Sequence, residues 1–179
     1  MDDQGTFVSK LLEGFALHSK EKIVEKNDFL IRQGEIEKYA YLIHDGLVRV
    51  FYVSGAEEST IRFGYKNSFI NSLSSFFTGE PSEFYAQAVR KTRLSYIHKD
   101  SFREMVYKDE TSLRGWSQML ESLVTQQIER EIDLLIPSPS ERLQRVLQRS
   151  PQLFQEVPLK YIASYLRMTP ETLSRIRYS

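Results

Sequence analysis

The chain has 179 residues, with 24 Lys and Arg against 24 Asp and Glu, so its formal net charge is zero. Hydrophobic residues make up 41% of the sequence, enough for a folded core, which argues against an intrinsically disordered protein. The absence of cysteine excludes disulfides, thiolate zinc sites and Cys-ligated iron–sulfur clusters. No apolar run reaches membrane-spanning length and the N-terminal residues lack a secretory signal, so we expect a cytoplasmic protein with no membrane partner.

The charge is unevenly distributed along the chain. From Glu141 to the end there are seven basic and three acidic residues, a balance of +4 that leaves −4 for the rest of the chain. A basic tail on an acidic body is the asymmetry expected when only the tail meets the phosphates of a nucleic acid.

The first half of the chain predicts a helix followed by strands. From about Thr6 to Phe15, apolar residues recur at the spacing of a short amphipathic helix. Over about residues 21–99, segments rich in Val, Ile, Tyr and Phe alternate with turn residues, which indicates a β-sandwich or barrel. Asp45-Gly46 lies between two such segments and predicts a hairpin turn.

A long helix is predicted from about Ser112 to Ile136, because apolar residues recur there at steps of three and four. This stripe has two interpretations: it packs on the chain's own β domain, or it forms the seam of a homodimer. Pro137 and Pro139 end the helix, and Ser140 is expected to cap a new helix over residues 141–149. The residues assigned to the dimer seam are Leu113, Trp116, Leu120, Leu123, Val124, Gln127 and Ile128.

The segment from Val157 onward predicts two short helices joined by a tight turn. Thr169 is expected to be the N-cap of the second helix and Pro170 its first residue, where a missing N–H costs nothing. Leu173 and Ile176 would turn inward and leave a polar outer face. A helix-turn-helix offers such a face to the DNA major groove, whereas the alternative is an ordinary helical hairpin.

The order of a β-rich region, a long helix, a proline-containing break and this helical pair resembles the Crp/Fnr family of bacterial transcription regulators. The resemblance is carried by Gly34 and Gly46 with the segment YAYLIHDGLVRVFYV, by the block from Phe69 to Met105, and by IASYLRMTPETLSRIR. It implies an α+β fold in three parts. These are an N-terminal antiparallel β-roll (a double-stranded β-helix or jelly roll) flanked by helices over 1–111, a long dimerisation helix over 112–136, and a small helix-turn-helix domain over 137–179 without a clear β wing.

The resemblance also implies a function. A member of this family would be a homodimeric, sequence-specific regulator that binds a near-palindromic operator in double-stranded DNA, and it would not be an enzyme. The alternative is a ligand-sensing or protein-interaction module whose short helical tail does not bind DNA. The residues assigned to DNA contact are Lys160, Thr169, Glu171, Thr172, Ser174, Arg175 and Arg177.

The sequence departs from the family at its ligand-binding segment. Members that bind cyclic AMP carry a phosphate cassette in which an acid meets the ribose and an arginine pairs with the cyclic phosphate. In the corresponding stretch from Phe69 to Ala88, Ser72 replaces the acid and Ser82 replaces the arginine. Serine cannot supply the charge-assisted partner that a buried phosphate needs, and Glu83 would repel an anion if it faced inward.

We therefore expect a degenerate effector pocket that does not bind cyclic AMP or cyclic GMP in the usual way. A neutral or different small-molecule effector stays open, as does a role of the β-roll as a dimer scaffold alone. The residues assigned to this pocket are Phe69, Asn71, Ser72, Leu73, Ser82 and Glu83.

No metal or other cofactor is expected. His18, His44 and His98 are far apart and lack the spacing of a metal site. The sequence also lacks a nucleophile elbow, a Walker A loop and a dinucleotide-binding glycine fingerprint, so no catalytic residues are assigned.

Overall fold

The computed structural model describes the backbone of residues 3–177 and the side chains of residues 8–177. Within that range the chain forms six strands and eight helices, which belong to two compact units. The first unit takes in the chain up to Val50 together with Phe63–Val124. The second takes in Phe51–Arg62 and the chain from Thr125 onward.

The first half of the chain forms an antiparallel sheet with flanking helices, as the sequence predicted. The sheet runs in the order β1-β6-β3-β4, with β2 also paired to β6 and β5 to β3. Antiparallel pairing is seen where β1 meets β6, for example Lys20 opposite Tyr96 and Val24 opposite Thr92. In chain order the elements are α1 (Asp3–His18), β1 (Lys20–Val24), β2 (Phe29–Ile31), β3 (Tyr39–Ser54), β4 (Glu57–Gly64), β5 (Phe69–Ile70), α2 (Leu73–Thr78), β6 (Tyr85–His98), α3 (Lys99–Tyr107) and α4 (Glu110–Leu135).

Two of the hydrophobic clusters of the first unit hold its sheet and its helices. One lies inside the sheet and contains Ile31, Ile43, Val48, Val50, Ile70 and Ala86. The other joins α1, α2 and α3 through Leu11, Phe15, Phe76, Phe102, Met105 and Val106. Trp116, which the sequence assigned to the dimer seam, instead packs against this second cluster, with its ring centroid 5.1 Å from that of Phe102.

The predicted hairpin at Asp45-Gly46 is wrong, because β3 continues through these residues from Tyr39 to Ser54. Gly46 has a φ of +112°, so it adopts a conformation open to glycine while the strand continues. A Cβ at Gly46 would lie 2.4 Å from Thr92 Oγ1 and 2.6 Å from Thr92 Cα. The glycine therefore marks a close approach of β6 to β3, and the hairpin turn comes later, at Gly55 with a φ of +60°.

The second half of the chain is helical, as predicted, but α5 begins earlier than expected. Ser138, not Ser140, is the N-cap of α5, because its side chain accepts a hydrogen bond from the Glu141 N–H. The helices that follow α4 are α5 (Pro139–Arg149), α6 (Leu153–Glu156), α7 (Leu159–Tyr165) and α8 (Pro170–Arg177). Their buried apolar residues are Leu143, Val146, Leu153, Val157, Ile162, Ala163, Leu166 and Leu173.

None of the helices within residues 3–177 combines the length and the apolar character that crossing a bilayer requires.

Gly46→Ala is expected to destabilise the fold by about 3 kcal/mol, because an alanine there combines an unfavourable φ with a clash against the β6 backbone. Gly55→Ala is the matched control. It has a positive φ but no atom within 4 Å of the added Cβ, so it should cost only about 1 kcal/mol. Urea unfolding of both variants measures the difference, and equal losses would contradict the close approach at Gly46.

Candidate nucleic-acid interface and effector pocket

The α7–α8 pair is joined by a tight turn at Arg167, whose φ is +53°. The turn is followed by α8, in which Thr169 acts as the N-cap that the sequence predicted: its hydroxyl accepts the Thr172 N–H at 3.2 Å. Leu173 is buried and Ile176 is half-buried, so this face of α8 packs inward as expected. The opposite face is left to the polar side chains.

The residues assigned to DNA contact lie on that outer face or beside it. Glu171, Ser174 and Arg175 are three and four residues apart, which places them on one side of α8. The exposed members of the assigned set are Lys160, Thr169, Glu171, Ser174, Arg175 and Arg177, and Thr172 is half-buried.

Local contacts restrict three of these side chains. Hydrogen bonds from its own backbone N–H and from the Thr169 hydroxyl hold the pKa of Glu171 below its usual range, which keeps the carboxylate ionised. The guanidinium of Arg177 lies 4.8 Å from the ring centroid of Phe154, and the Lys160 ammonium lies 4.6 Å from that of Tyr161.

Much of the basic charge of the tail is used inside the second unit. The Asp133 carboxylate is fully buried and pairs with both Arg145 and Arg149, with 2.9 Å between Arg145 Nε and Asp133 Oδ1. Glu129 also pairs with both arginines. Glu129 and Asp133 are four residues apart on α4, and Arg145 and Arg149 are four residues apart on α5. Each pair therefore lies on one face of its helix, and the two carboxylates meet the two guanidiniums.

Two further arginines bind the carbonyl end of α7. Arg142 donates to the Leu166 carbonyl at 2.6 Å and to the Ile136 carbonyl at 2.9 Å. Arg130 donates to the Tyr165 carbonyl and stacks on the Tyr165 ring at 3.8 Å. They satisfy carbonyls that a helix C-terminus leaves open. Of the seven basic residues from Glu141 onward, Arg142, Arg145 and Arg149 are therefore engaged inside the second unit.

The predicted effector pocket lies in the first unit, and its two serines face each other. Ser72 and Ser82 are both buried, with their hydroxyl oxygens 2.9 Å apart, and Ser82 also accepts the Phe84 N–H at 3.1 Å. Glu83 is exposed, so it does not supply the repulsion that an inward orientation would have given.

The carboxylate that does lie against the cassette is that of Glu37, and no motif or spacing in the sequence pointed to it. Glu37 is 2% exposed. Its two carboxylate oxygens accept the Tyr39 N–H at 3.0 Å and the Ser72 N–H at 3.3 Å. Its own N–H donates to Ser75 Oγ at 2.9 Å. The loop before β3 is therefore tied to the cassette by an internal anion.

Backbone bonds complete this closure. The Gly34 N–H donates to the Ser82 carbonyl and the Ser82 N–H to the Glu35 carbonyl, each at 2.8 Å. Beside the closed loop lies a cleft of about 710 Å³, lined by Lys22, Leu30, Ile31, Gly34, Glu35, Ile36, Glu37, Lys38, Tyr39, Tyr41 and Tyr96. Its lining includes none of the residues assigned to the effector pocket.

The remaining assigned residues lie between β5 and the start of α2. Phe69 belongs to β5 and packs edge-on against Phe15 at 5.0 Å, and Leu73 begins α2. Ser72 is the residue before that helix, and Asn71 precedes it. The assigned pocket residues therefore lie on one continuous turn into α2, together with Ser82 across from it.

Burial raises the pKa of Glu37 to about 7, against the hydrogen bonds from Tyr39 and Ser72 that lower it. The folded state therefore binds a proton on Glu37 more tightly than the unfolded state does. As the pH rises from about 4.5 through 7, ionisation of Glu37 lowers the free energy of unfolding. The full cost above pH 7 is about 3 kcal/mol.

Glu37→Gln is therefore expected to gain up to about 3 kcal/mol relative to the wild-type chain between pH 5 and pH 8.5. Urea unfolding at the two pH values measures this gain, and Glu83→Gln, which removes an exposed carboxylate of the same cassette, controls for loss of charge. A difference between Glu37→Gln and wild type that is the same at both pH values would contradict the buried carboxylate.

Comparison with known proteins places this arrangement in a known fold. Residues 21–109 match the family described as the cyclic nucleotide-binding domain. A comparison with curated protein sequences gives no match.

Among solved structures, FixK2 from Bradyrhizobium japonicum is 18% identical, with a TM-score of 0.75 over 89% of this chain and 83% of that protein. CLP from Xanthomonas campestris, described as a c-di-GMP responsive global regulator, is 15% identical, with a TM-score of 0.72 over 95% of this chain and 90% of CLP. The Thermus thermophilus catabolite activator protein is 18% identical, with a TM-score of 0.59 over 95% of this chain and 81% of that one. Residues 21–109 thus have a cyclic-nucleotide-binding fold, and the chain is structurally similar to FixK2, CLP and the catabolite activator protein.

Proposed function

We propose that the protein is a dimeric, sequence-specific DNA-binding transcription regulator whose cyclic-nucleotide-binding fold no longer takes a cyclic nucleotide in the usual way. The observation that carries the proposal is the capped α8 helix, which turns Glu171, Ser174 and Arg175 outward on a buried support. In a dimer, two such helices would enter successive major grooves about 34 Å apart, so the operator would be a near-palindrome.

The outer face of α8 has the chemistry for reading bases. Arg175 is suited to bidentate contact with a guanine, and the ionised Glu171 to accepting a hydrogen bond from a cytosine amino group. The residues proposed to position the helix on the phosphates and sugars are Lys160, Thr169, Thr172, Ser174 and Arg177. CLP, which is described as a global regulator, supports this function by its similar fold.

An apolar surface on α4 supports the proposed dimer. Leu113 is 42% exposed and Val124 58%, and the apolar line continues through Ile128, Ile132 and Leu135. Gln127 is exposed beside it, and Leu120 and Leu123 are half-buried. We propose that this line, without Trp116, forms the seam with a second copy, because a helix of a monomer seldom leaves such a continuous stripe in water.

The effector pocket supports the second half of the proposal. A cyclic phosphate would meet Ser82 in place of an arginine and would approach the buried carboxylate of Glu37. Burying an anion beside another without a cation is unfavourable. A neutral or otherwise different effector remains compatible with this chemistry.

A second function is favoured by one observation. Arg142, Arg145 and Arg149 form internal contacts, so the basic surplus of the tail overstates the charge available to phosphates. Such internal use of the arginines is also what a ligand-sensing or protein-interaction module that does not bind DNA would show.

The salt dependence of DNA binding separates the two functions. For a regulator, the logarithm of affinity should fall linearly with the logarithm of salt concentration, with a slope of about −0.9 for each phosphate contacted. Fluorescence anisotropy with a duplex selected from a random pool measures this slope. Weak binding with a flat salt response would favour the interaction module.

Arg175→Ala is expected to cost about 1–3 kcal/mol on the selected duplex and to relax specificity at one base pair. Arg103→Ala, an exposed arginine of α3, is the control that removes the same charge elsewhere. Equal affinity of Arg175→Ala and wild type would mean that α8 does not read bases through this residue.

Ile128→Gln is expected to weaken the dimer, because it places a polar group in the proposed apolar seam. Leu17→Gln is the control, since Leu17 is an equally apolar and more exposed residue outside α4, at 82%. Analytical ultracentrifugation over a range of concentrations measures the dissociation constant. A dimer that tolerates Ile128→Gln as well as Leu17→Gln would place the interface elsewhere.

A further inference from the structure

The second unit contains a hairpin tip, residues 51–62, which joins β3 to β4 and belongs with the C-terminal helices. Ser164 of α7 binds it through its side chain. Ser164 Oγ accepts the Thr60 N–H at 2.9 Å, lies 3.0 Å from Thr60 Oγ1, and donates to the Glu58 carbonyl at 2.9 Å. One helix residue therefore holds the backbone of the hairpin tip at two points.

This contact uses the full hydrogen-bonding capacity of Ser164. A serine hydroxyl offers one donor and two acceptor positions, and the three bonds to Thr60 and Glu58 occupy all of them. Thr60 is 0% exposed, so its N–H would be left unpaired in a buried position if the serine hydroxyl were removed. The hairpin tip is thus held by specific bonds, which a change in its conformation would have to break.

The tip carries two adjacent carboxylates, Glu57 and Glu58, toward the proposed DNA-binding surface. Both line a cleft of about 400 Å³ whose other walls are Lys160, Ala163, Ser164, Arg167, Met168, Thr169 and Pro170. The cleft therefore lies beside the turn before α8, where two basic side chains and the positive end of the helix would favour a DNA phosphate. Glu57 and Glu58 bring two negative charges to the same cleft, opposite in sign to Lys160 and Arg167.

We propose that the hairpin tip is an acidic latch that holds the α7–α8 pair in a state of low DNA affinity, with Ser164 as its catch. This inference rests on the proposed DNA-binding function and adds its regulation. DNA phosphates that approach Lys160 and Arg167 meet Glu57 and Glu58, and like charges repel. Release of Ser164 from the hairpin would let the tip move away and leave the two cations to the phosphates.

The test compares two changes to the latch in the full chain. Glu57→Gln with Glu58→Gln removes the carboxylates, and Ser164→Ala removes the catch. The matched controls are Glu80→Gln with Glu83→Gln, which makes the same change of net charge in the first unit, and Ser140→Ala, an exposed serine of the second unit.

Two measurements are made on each variant. Affinity for a random-sequence duplex at low salt is measured by anisotropy, and hydrogen exchange of the Thr60 amide reports whether the hairpin is held. The double Gln variant should bind the duplex about fivefold to tenfold more tightly than its control, an effect that salt should reduce. Ser164→Ala should speed exchange at Thr60 and raise affinity about threefold.

The outcomes separate the latch from the proposed function. Tighter binding by both latch variants, with faster Thr60 exchange in Ser164→Ala, supports the latch. DNA binding by wild type that neither latch change strengthens, or that Ser164→Ala weakens, overturns the latch and leaves the proposed function in place. Absence of duplex binding by wild type and all variants, even with Thr60 exchange accelerated, overturns the proposed function and the latch together.

Discussion

The buried carboxylate of Glu37 is the constraint on which the cassette of the first unit depends. It is an ionisable group almost wholly removed from water, and it accepts the backbone N–H of Tyr39 at the start of β3 and that of Ser72 in the cassette. A cassette that pairs an arginine with a phosphate draws its cohesion from the ligand. Here the cohesion comes from the chain itself, because Glu37, Ser72 and Ser75 connect the loop before β3 to the turn into α2. The cost is a carboxylate whose pKa is raised to about 7.

A comparable internal use of charge shapes the second unit. Glu129 and Asp133 of α4 together pair with Arg145 and Arg149 of α5, and Arg130 and Arg142 donate to the carbonyl end of α7. Removing one partner of a buried ion pair leaves an uncompensated charge, so Arg145 and Arg149 hold α5 against α4, while Arg130 and Arg142 hold the end of α7. Under the proposed DNA-binding function, a dimer would double the number of basic groups offered to the phosphates, and the affinity for DNA would depend on the dimer and on the proposed acidic latch.

The parts of the structure that follow from local patterns could be predicted from the sequence. Thr169-Pro170 specifies the start of α8 through one hydroxyl and one missing N–H, and Leu173 is buried as its spacing requires. Alternating apolar residues specified the antiparallel sheet. The error at Gly46 arose because a glycine in a strand signals either a turn or a close approach, and only the position of Thr92 in three dimensions decides between them.

Long-range contacts could not be predicted in this way. Glu37 and Ser72 are 35 residues apart, and Ser164 meets Thr60 across 104 residues, with no periodicity to relate them. Trp116 fits the spacing of the apolar stripe of α4, but its ring packs against the cluster that joins α1, α2 and α3 in the same chain. The contact between α4 and α5 is an exception. Glu129 and Asp133 lie four residues apart on one helix and Arg145 and Arg149 four apart on the next, a spacing that could have indicated an ion-pair contact between the two helices.

We propose that Glu37 takes, within the cyclic-nucleotide-binding fold, the place that an anionic ligand would need. Calorimetric titration of the full chain with cyclic AMP at a pH above 7, where Glu37 is ionised, tests this proposal. We expect no saturable heat in the micromolar range, because Ser82 stands where the family has an arginine and Glu37 would repel the phosphate. Saturable micromolar binding of cyclic AMP would contradict it.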